Sequence, residues 1–124
     1  MKRYALFLDG EFHETAQHFD DVSPVDGRIV AQVCTATAAD VDRAVAAARR
    51  AQPAWAALGP LSRAETLRRV AALLTERFDA FLQAEVADTG KPQALAKALD
   101  IPRGAANFRT FADLVAVADT HAFQ

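Results

Sequence analysis

The sequence predicts an α/β chain in which short β-strands come first and three or four α-helices follow. Three observations predict it. Apolar residues alternate around two Asp-Gly turns within the first 34 positions. Helix-start boxes stand at Thr37 and Ser62, and apolar residues at helical spacing follow each box.

Tyr4, Leu6 and Leu8 alternate up to Asp9-Gly10 and Phe12 follows, the pattern of a hairpin closed by a two-residue turn. Phe19 and Val22 lead into Ser23-Pro24-Val25-Asp26-Gly27, a cluster of turn formers. Ile29, Ala31 and Val33 then alternate as a further strand that ends near residue 34.

Thr37 can accept from free backbone N–H groups at a helix start, and Asp40 three residues later completes a capping-box-like pair. Val41, Ala44, Val45 and Ala48 share one face of this helix. Pro53 breaks the pattern, so the helix is expected to end near Ala51. Ser62-Arg63-Ala64-Glu65 is the second box, and Leu67, Val70, Ala71, Leu74, Phe78, Phe81, Leu82 and Val86 form one long core stripe behind it. Gly90 suits the left-handed position past a helix C-terminus, Lys91 reads as a solvated cation beside the last carbonyls, and Pro92 prevents continuation. From about Gln93 a last helix places Phe108, Phe111, Ala112 and Val115 on one face. Pro102 either kinks that helix or stands in the first turn of a new one capped by Asp100. Strand edges and one-faced helices of this kind need a further surface to pack against.

Fourteen Lys plus Arg against sixteen Asp plus Glu give a net charge of -2, which lacks the basic footprint of a nucleic-acid binder or a membrane-surface helix. The single cysteine allows no internal disulfide and points to a reducing compartment. The apolar run after Met1-Lys2-Arg3-Tyr4 stops at Asp9, too short for a signal segment or a membrane span. The expectation is a soluble, cytoplasmic protein with neither nucleic acid nor membrane as partner.

Few residues invite chemistry. Cys34 has no activating base or cationic neighbour in sequence and reads as a small residue on a strand. His13, His18 and His121 lack the spacing of helical metal ligands and read as solvated. The glycines at 10, 27, 59, 90 and 104 never form a phosphate-cradling loop. Arg103, between Pro102 and Gly104 in an apolar stretch, is either a solvated arginine or a planar fork for a carboxylate. On residue chemistry alone the reading stops at a mostly helical chain of open role.

Longer stretches carry a resemblance. FLDGEF at 7–12, SPVDGRIVAQV at 23–33, ATAADVDRAVAAARRA at 36–51 and DTGKP at 88–92 stand in the order and spacing of the N-terminal third of the aldehyde dehydrogenase superfamily, which the chain resembles over nearly all its length. DIPRGAANFRTFADL at 100–114 is similar to the 2-hydroxymuconic and 2-aminomuconic semialdehyde dehydrogenases of aromatic ring-cleavage pathways.

The resemblance implies an α/β aldehyde-dehydrogenase-like fold of which residues 1–124 are the N-terminal segment of the cofactor-binding domain, without the Rossmann core and the catalytic domain. It implies an NAD-dependent oxidation of a muconic-type semialdehyde to the acid. The family's nucleophilic Cys, general-base Glu, oxyanion Asn and cofactor-binding residues would all fall beyond Gln124, so no catalytic or NAD-binding residue is carried over and the chain is expected to be inactive alone. Arg103 matches the arginine of IPRGAANF that helps hold the substrate carboxylate. Asp21 and Asp88 match positions whose main-chain carbonyls contribute to a monovalent-cation site. Implied partners are the remainder of the enzyme chain, a small aldehyde, and further copies in a homodimer or homotetramer. The alternative is a stand-alone, non-catalytic helical interaction module derived from such an enzyme.

Overall fold

The computed structural model describes residues 1–117; His121 lies outside the described residues. Five strands precede the helices: β1 (Lys2–Tyr4), β2 (Leu6–Leu8), β3 (Glu11–His13), β4 (His18–Val22) and β5 (Ile29–Cys34). The helical part comprises α1 (Ala38–Ala57), α2 (Pro60–Glu76), α3 (Phe78–Thr89), a single turn α4 (Gln93–Leu95), a π-helical stretch Ala96–Asp100 and α5 (Ile101–Val117). The strands-then-helices order expected from the sequence is therefore the observed one. The described residues form two compact units, one from Met1–Ala54 with Ala87–Gly90, the other from Trp55–Val86 with the described residues after Gly90.

In the first unit β2 and β3 pair antiparallel across Asp9-Gly10, with Phe7 opposite Phe12. Asp9 and Gly10 both have positive φ, 55° and 85°, as a turn matched to strand twist requires. Tyr4 is not part of that hairpin: β1 runs parallel to β5, with Tyr4 opposite Val33, in a three-stranded sheet of order β1-β5-β4. The alternation from Tyr4 to Leu8 thus spans two strands of different sheets. Strand β4 is antiparallel to β5, and its register shifts at Asp21/Val22.

The turn between β4 and β5 is closed by its own polar groups. Ser23 N–H donates to the Arg28 carbonyl (2.8 Å) and Gly27 N–H to the Ser23 carbonyl (2.9 Å). Arg28 grips the Asp26 carboxylate through Nε (2.8 Å) and Nη2 (2.6 Å), and this bond holds the Asp26 carboxyl below the usual aspartate range.

Helix α1 opens with the expected box. Thr37 N–H donates to Asp40 Oδ2 (2.9 Å), and Asp40 N–H donates to Thr37 Oγ1 (3.3 Å). It does not stop near Ala51. The helix runs through Pro53 to Ala57, because a proline removes only one backbone donor and the residues from Ala48 to Ala57 are exposed, leaving the Arg49 carbonyl open to water. Its alanine face underlies the hairpin, where Phe7, Leu8, Ala44, Ala47 and Ala51 help line a shallow groove of about 340 Å³.

Ser62 is not a cap. In the second unit α2 starts at Pro60 on an extended Gly59, since a proline at the first helical position gives up an N–H that has no helical partner anyway. The expected single helix to Gly90 is two helices, parted at Arg77, whose φ of −101° and ψ of 25° leave the helical region. No proline or glycine marks that break in the sequence.

Alanines make the core between α2 and α5: Ala64, Ala71, Ala105 and Ala112 are all buried. Small side chains let the two backbones approach closely, and Arg68–Asp113 (2.8 Å) and Arg109 to Thr75 (3.0 Å) tie the pair at its rim. Advancing from 68 to 75 on α2 moves back from 113 to 109 on α5, so the helices are antiparallel. Pro102 is the second residue of α5, so it stands in the first turn of a new helix as the second alternative has it, but Asp100 belongs to the π-helical stretch and does not cap that helix; the wider turns at Ala96–Asp100 absorb the altered pairing before a residue without N–H. Asp100 is occupied otherwise, accepting from Lys91 Nζ at 2.6 Å, so Lys91 is a paired and not a solvated cation.

Candidate functional site

Arg103 sits in the first turn of α5, exposed, with no hydrogen bond or ion pair among the described residues. Gly104 beside it faces open space, since a β-carbon there would meet nothing within 4 Å. The same helix leaves Phe111 62% and Leu114 55% exposed, although its alanines are buried. One face of α5 is therefore spent on α2, and another carries the exposed Arg103 in its first turn and the exposed Phe111 and Leu114 further along.

Asp21 is half-buried in β4 at the point where the register shifts, and Asp88 is exposed in the last turn of α3. Both belong to the first unit. A shifted register and a helix C-terminus are both places where backbone carbonyls lose ladder or helix partners.

Sequence reasoning missed a cluster. Cys34 is buried and its thiol donates to Glu14 Oε2 (3.3 Å), while His18 Nε2 lies 3.5 Å from the same oxygen. That imidazole nitrogen is out of water and has no hydrogen-bond partner, the carboxylate being near but badly aligned. His18 is thus not the solvated histidine expected. The cluster could be found only with the strand register in hand, because β4 and β5 place His18 directly opposite Cys34. Glu14 carries no signal of its own beyond standing four residues before His18.

Short strands thus precede alanine-packed helices, and the last helix leaves one face uncovered. The chain belongs to the aldehyde dehydrogenase family, whose model matches residues 12–123. It is 49% identical over 127 aligned positions to the 2-hydroxymuconic semialdehyde dehydrogenase of Pseudomonas sp. (strain CF600), covering 100% of this chain and 26% of that protein. It is 47% identical over 124 positions to a 2-aminomuconic 6-semialdehyde dehydrogenase of Pseudomonas sp., covering 98% of this chain and 25% of that one. Its fold matches the crystal structure of PnpE in complex with nicotinamide adenine dinucleotide with a TM-score of 0.90 and 40% identity, over 94% of this chain and 24% of that one. The chain spans about a quarter of the length of these relatives. Among the described residues no helix is long and apolar enough to cross a membrane.

Proposed function

We propose that this chain is the N-terminal portion of an NAD-dependent aldehyde dehydrogenase that oxidises a muconic-type semialdehyde to its carboxylic acid in cytoplasmic aromatic catabolism. The observation that carries the reading is the 49% identity that runs over the whole chain to a 2-hydroxymuconic semialdehyde dehydrogenase. In this reading residues 1–124 are the first segment of the cofactor-binding domain, the Rossmann core and catalytic domain lie elsewhere in the enzyme, and the intact protein is a homodimer or homotetramer. The described glycines form no phosphate cradle, so no residue of this stretch is assigned to the cofactor. When bound, NAD supplies the hydride acceptor.

What the chain itself contributes is one wall of the substrate entrance. Arg103 projects from an exposed stretch of α5 that also carries Asn107 and Thr110 and, further along, the exposed Phe111 and Leu114, which suits a substrate with a flat carbon chain and a carboxylate at one end. The main-chain carbonyls of Asp21 and Asp88 are assigned to a monovalent-cation site that braces the first unit. A hard cation takes such oxygens readily.

The test is to supply the intact protein with 2-hydroxymuconic semialdehyde and NAD and follow NADH formation. Robust turnover of this substrate beside weak turnover of neutral aldehydes of similar size is the expected result. Equal use of both would remove the semialdehyde assignment and leave the family alone standing.

A further inference from the structure

We propose that Glu14, His18 and Cys34 form a binding site for one borderline divalent transition cation of the Zn2+ class. The three side chains offer a carboxylate oxygen, an imidazole nitrogen and a sulfur, and these atoms all lie within 4.8 Å of one another. Zn2+ takes such donors at about 2.0–2.3 Å, so ligand atoms around a tetrahedral ion stand roughly 3.4–3.7 Å apart. The Cys34–Glu14 separation of 3.3 Å and the His18–Glu14 separation of 3.5 Å are already near those values. Only the longest separation in the cluster has to close, by about an ångström.

The donors sit on different kinds of support, which makes the cluster both rigid and adjustable. His18 and Cys34 face each other across the β4–β5 ladder, which fixes their backbones, so the remaining ångström closes by rotation of their side chains. Glu14 lies in the segment between β3 and β4 with its side chain 60% exposed. That segment is itself anchored, Thr15 Oγ1 and Thr35 N–H both donating to the Gln17 carbonyl at 2.8 Å. The second observation is His18 Nε2, a polar atom removed from water, aimed at the cluster and left without a hydrogen bond. A buried imidazole nitrogen in that state is costly, and a cation would satisfy it.

Binding is an exchange without oxidation. The Cys34 S–H bond breaks, its proton passes to solvent, and a metal–sulfur bond forms; the hydrogen bond from thiol to Glu14 is replaced by a shared ion. Thiolate and carboxylate together neutralise the two positive charges, and a water fills the fourth position. The donor set disfavours Ca2+ and Mg2+, which demand oxygen ligands.

The intact protein, stripped with chelator, is titrated with Zn2+ alone by calorimetry and with Co2+ alone by absorption. The expected result is a site whose Zn2+ affinity falls at least about a hundredfold in Cys34→Ser and His18→Ala, since even outer partners of metal ligands are worth ten- to hundredfold. A Co2+–thiolate charge-transfer band is expected in the unmodified protein and is lost in Cys34→Ser. Thiols elsewhere contribute to both samples, so the difference reports Cys34. Should Cys34→Ser not fold, Glu14→Gln decides, because that exposed side chain leaves the packing intact and is expected to weaken Zn2+ at least about tenfold. Absence of the charge-transfer difference, or Zn2+ affinity unchanged in Glu14→Gln, overturns the proposal and leaves a thiol–carboxylate hydrogen bond only.

Discussion

A β-carbon placed on Gly90 would stand 2.7 Å from Cγ of Pro24 and 3.0 Å from a methyl of Val25. The end of α3 thus rests on the β4–β5 turn at a point where only a residue without a side chain fits. Gly90 also has φ of +66°, so the left-handed stop and the close approach fall on one residue.

Gly90→Ala is therefore expected to destabilise the intact protein by about 1–2 kcal/mol from the left-handed backbone, with the overlap on Pro24 adding to it. Gly90→Asn separates the two effects, since asparagine tolerates the backbone but not the contact. Melting temperatures of both variants check this. An asparagine variant as stable as the parent would show that the ring of Pro24 can give way.

Much of this was legible in the residues, and the misses have physical causes. The Asp9-Gly10 turn and the Thr37–Asp40 box are local, set by backbone conformation and by groups three residues apart, so the sequence alone predicts them. Pro53, Ser62 and the break at Arg77 were misjudged because helix limits depend on what surrounds them. An exposed carbonyl tolerates a proline, and an earlier Pro60 pre-empts a good cap. The Lys91–Asp100 pair and the Glu14–His18–Cys34 cluster depend on chain segments meeting in space, which no spacing rule encodes. Residue chemistry leaves Arg103 open between a solvated arginine and a carboxylate fork, the family resemblance favours the fork, and Asp21 and Asp88 come from the resemblance alone.

Stability at acid pH is expected to carry the mark of Asp40. Backbone and side-chain hydrogen bonds from Thr37 hold its carboxyl below the ordinary value of 3.8. A carboxyl depressed in the folded state stabilises fully above its unfolded value and loses that effect as pH falls through the lower folded value. Asp40→Asn should flatten the acid limb of a stability–pH profile below about pH 4 relative to the parent protein. Parallel acid limbs for variant and parent would remove the box from the account.

The alanine seam between α2 and α5 is expected to resist enlargement. Ala112 is fully buried there, so Ala112→Leu forces the backbones apart and should cost about 1–3 kcal/mol. Phe111→Leu on the exposed face of the same helix is the control for helix propensity. Denaturant midpoints of the two variants compare them directly; a tolerated leucine at 112 would mean that the seam is looser than the burial implies.

The 124-residue chain taken alone is expected to give no aldehyde-dependent NAD reduction and to melt broadly while binding a hydrophobic dye. Leu61, Phe111, Leu114 and Val117 are each more than half exposed and lie on helices whose other faces are packed. A sharp cooperative transition of a monodisperse monomer without dye uptake would favour the stand-alone module.

The substrate clamp makes the most selective prediction. If Arg103 pairs with the substrate carboxylate, a charge-assisted bidentate bond worth about 1.5–3 kcal/mol is lost in Arg103→Ala, which corresponds to roughly a ten- to hundredfold fall in kcat/KM of the intact enzyme for a muconic-type semialdehyde. A neutral aldehyde of similar size forms no such bond, so its kcat/KM should change little. Because Arg103 is exposed and makes no hydrogen bond or ion pair among the described residues, the substitution removes no polar contact of the chain that could lower both rates together. Arg103→Lys should restore only part of the loss, since a point charge cannot reproduce the planar fork. Equal slowing of charged and neutral substrates by Arg103→Ala would assign the residue to the shape of the entrance and end its role as a clamp.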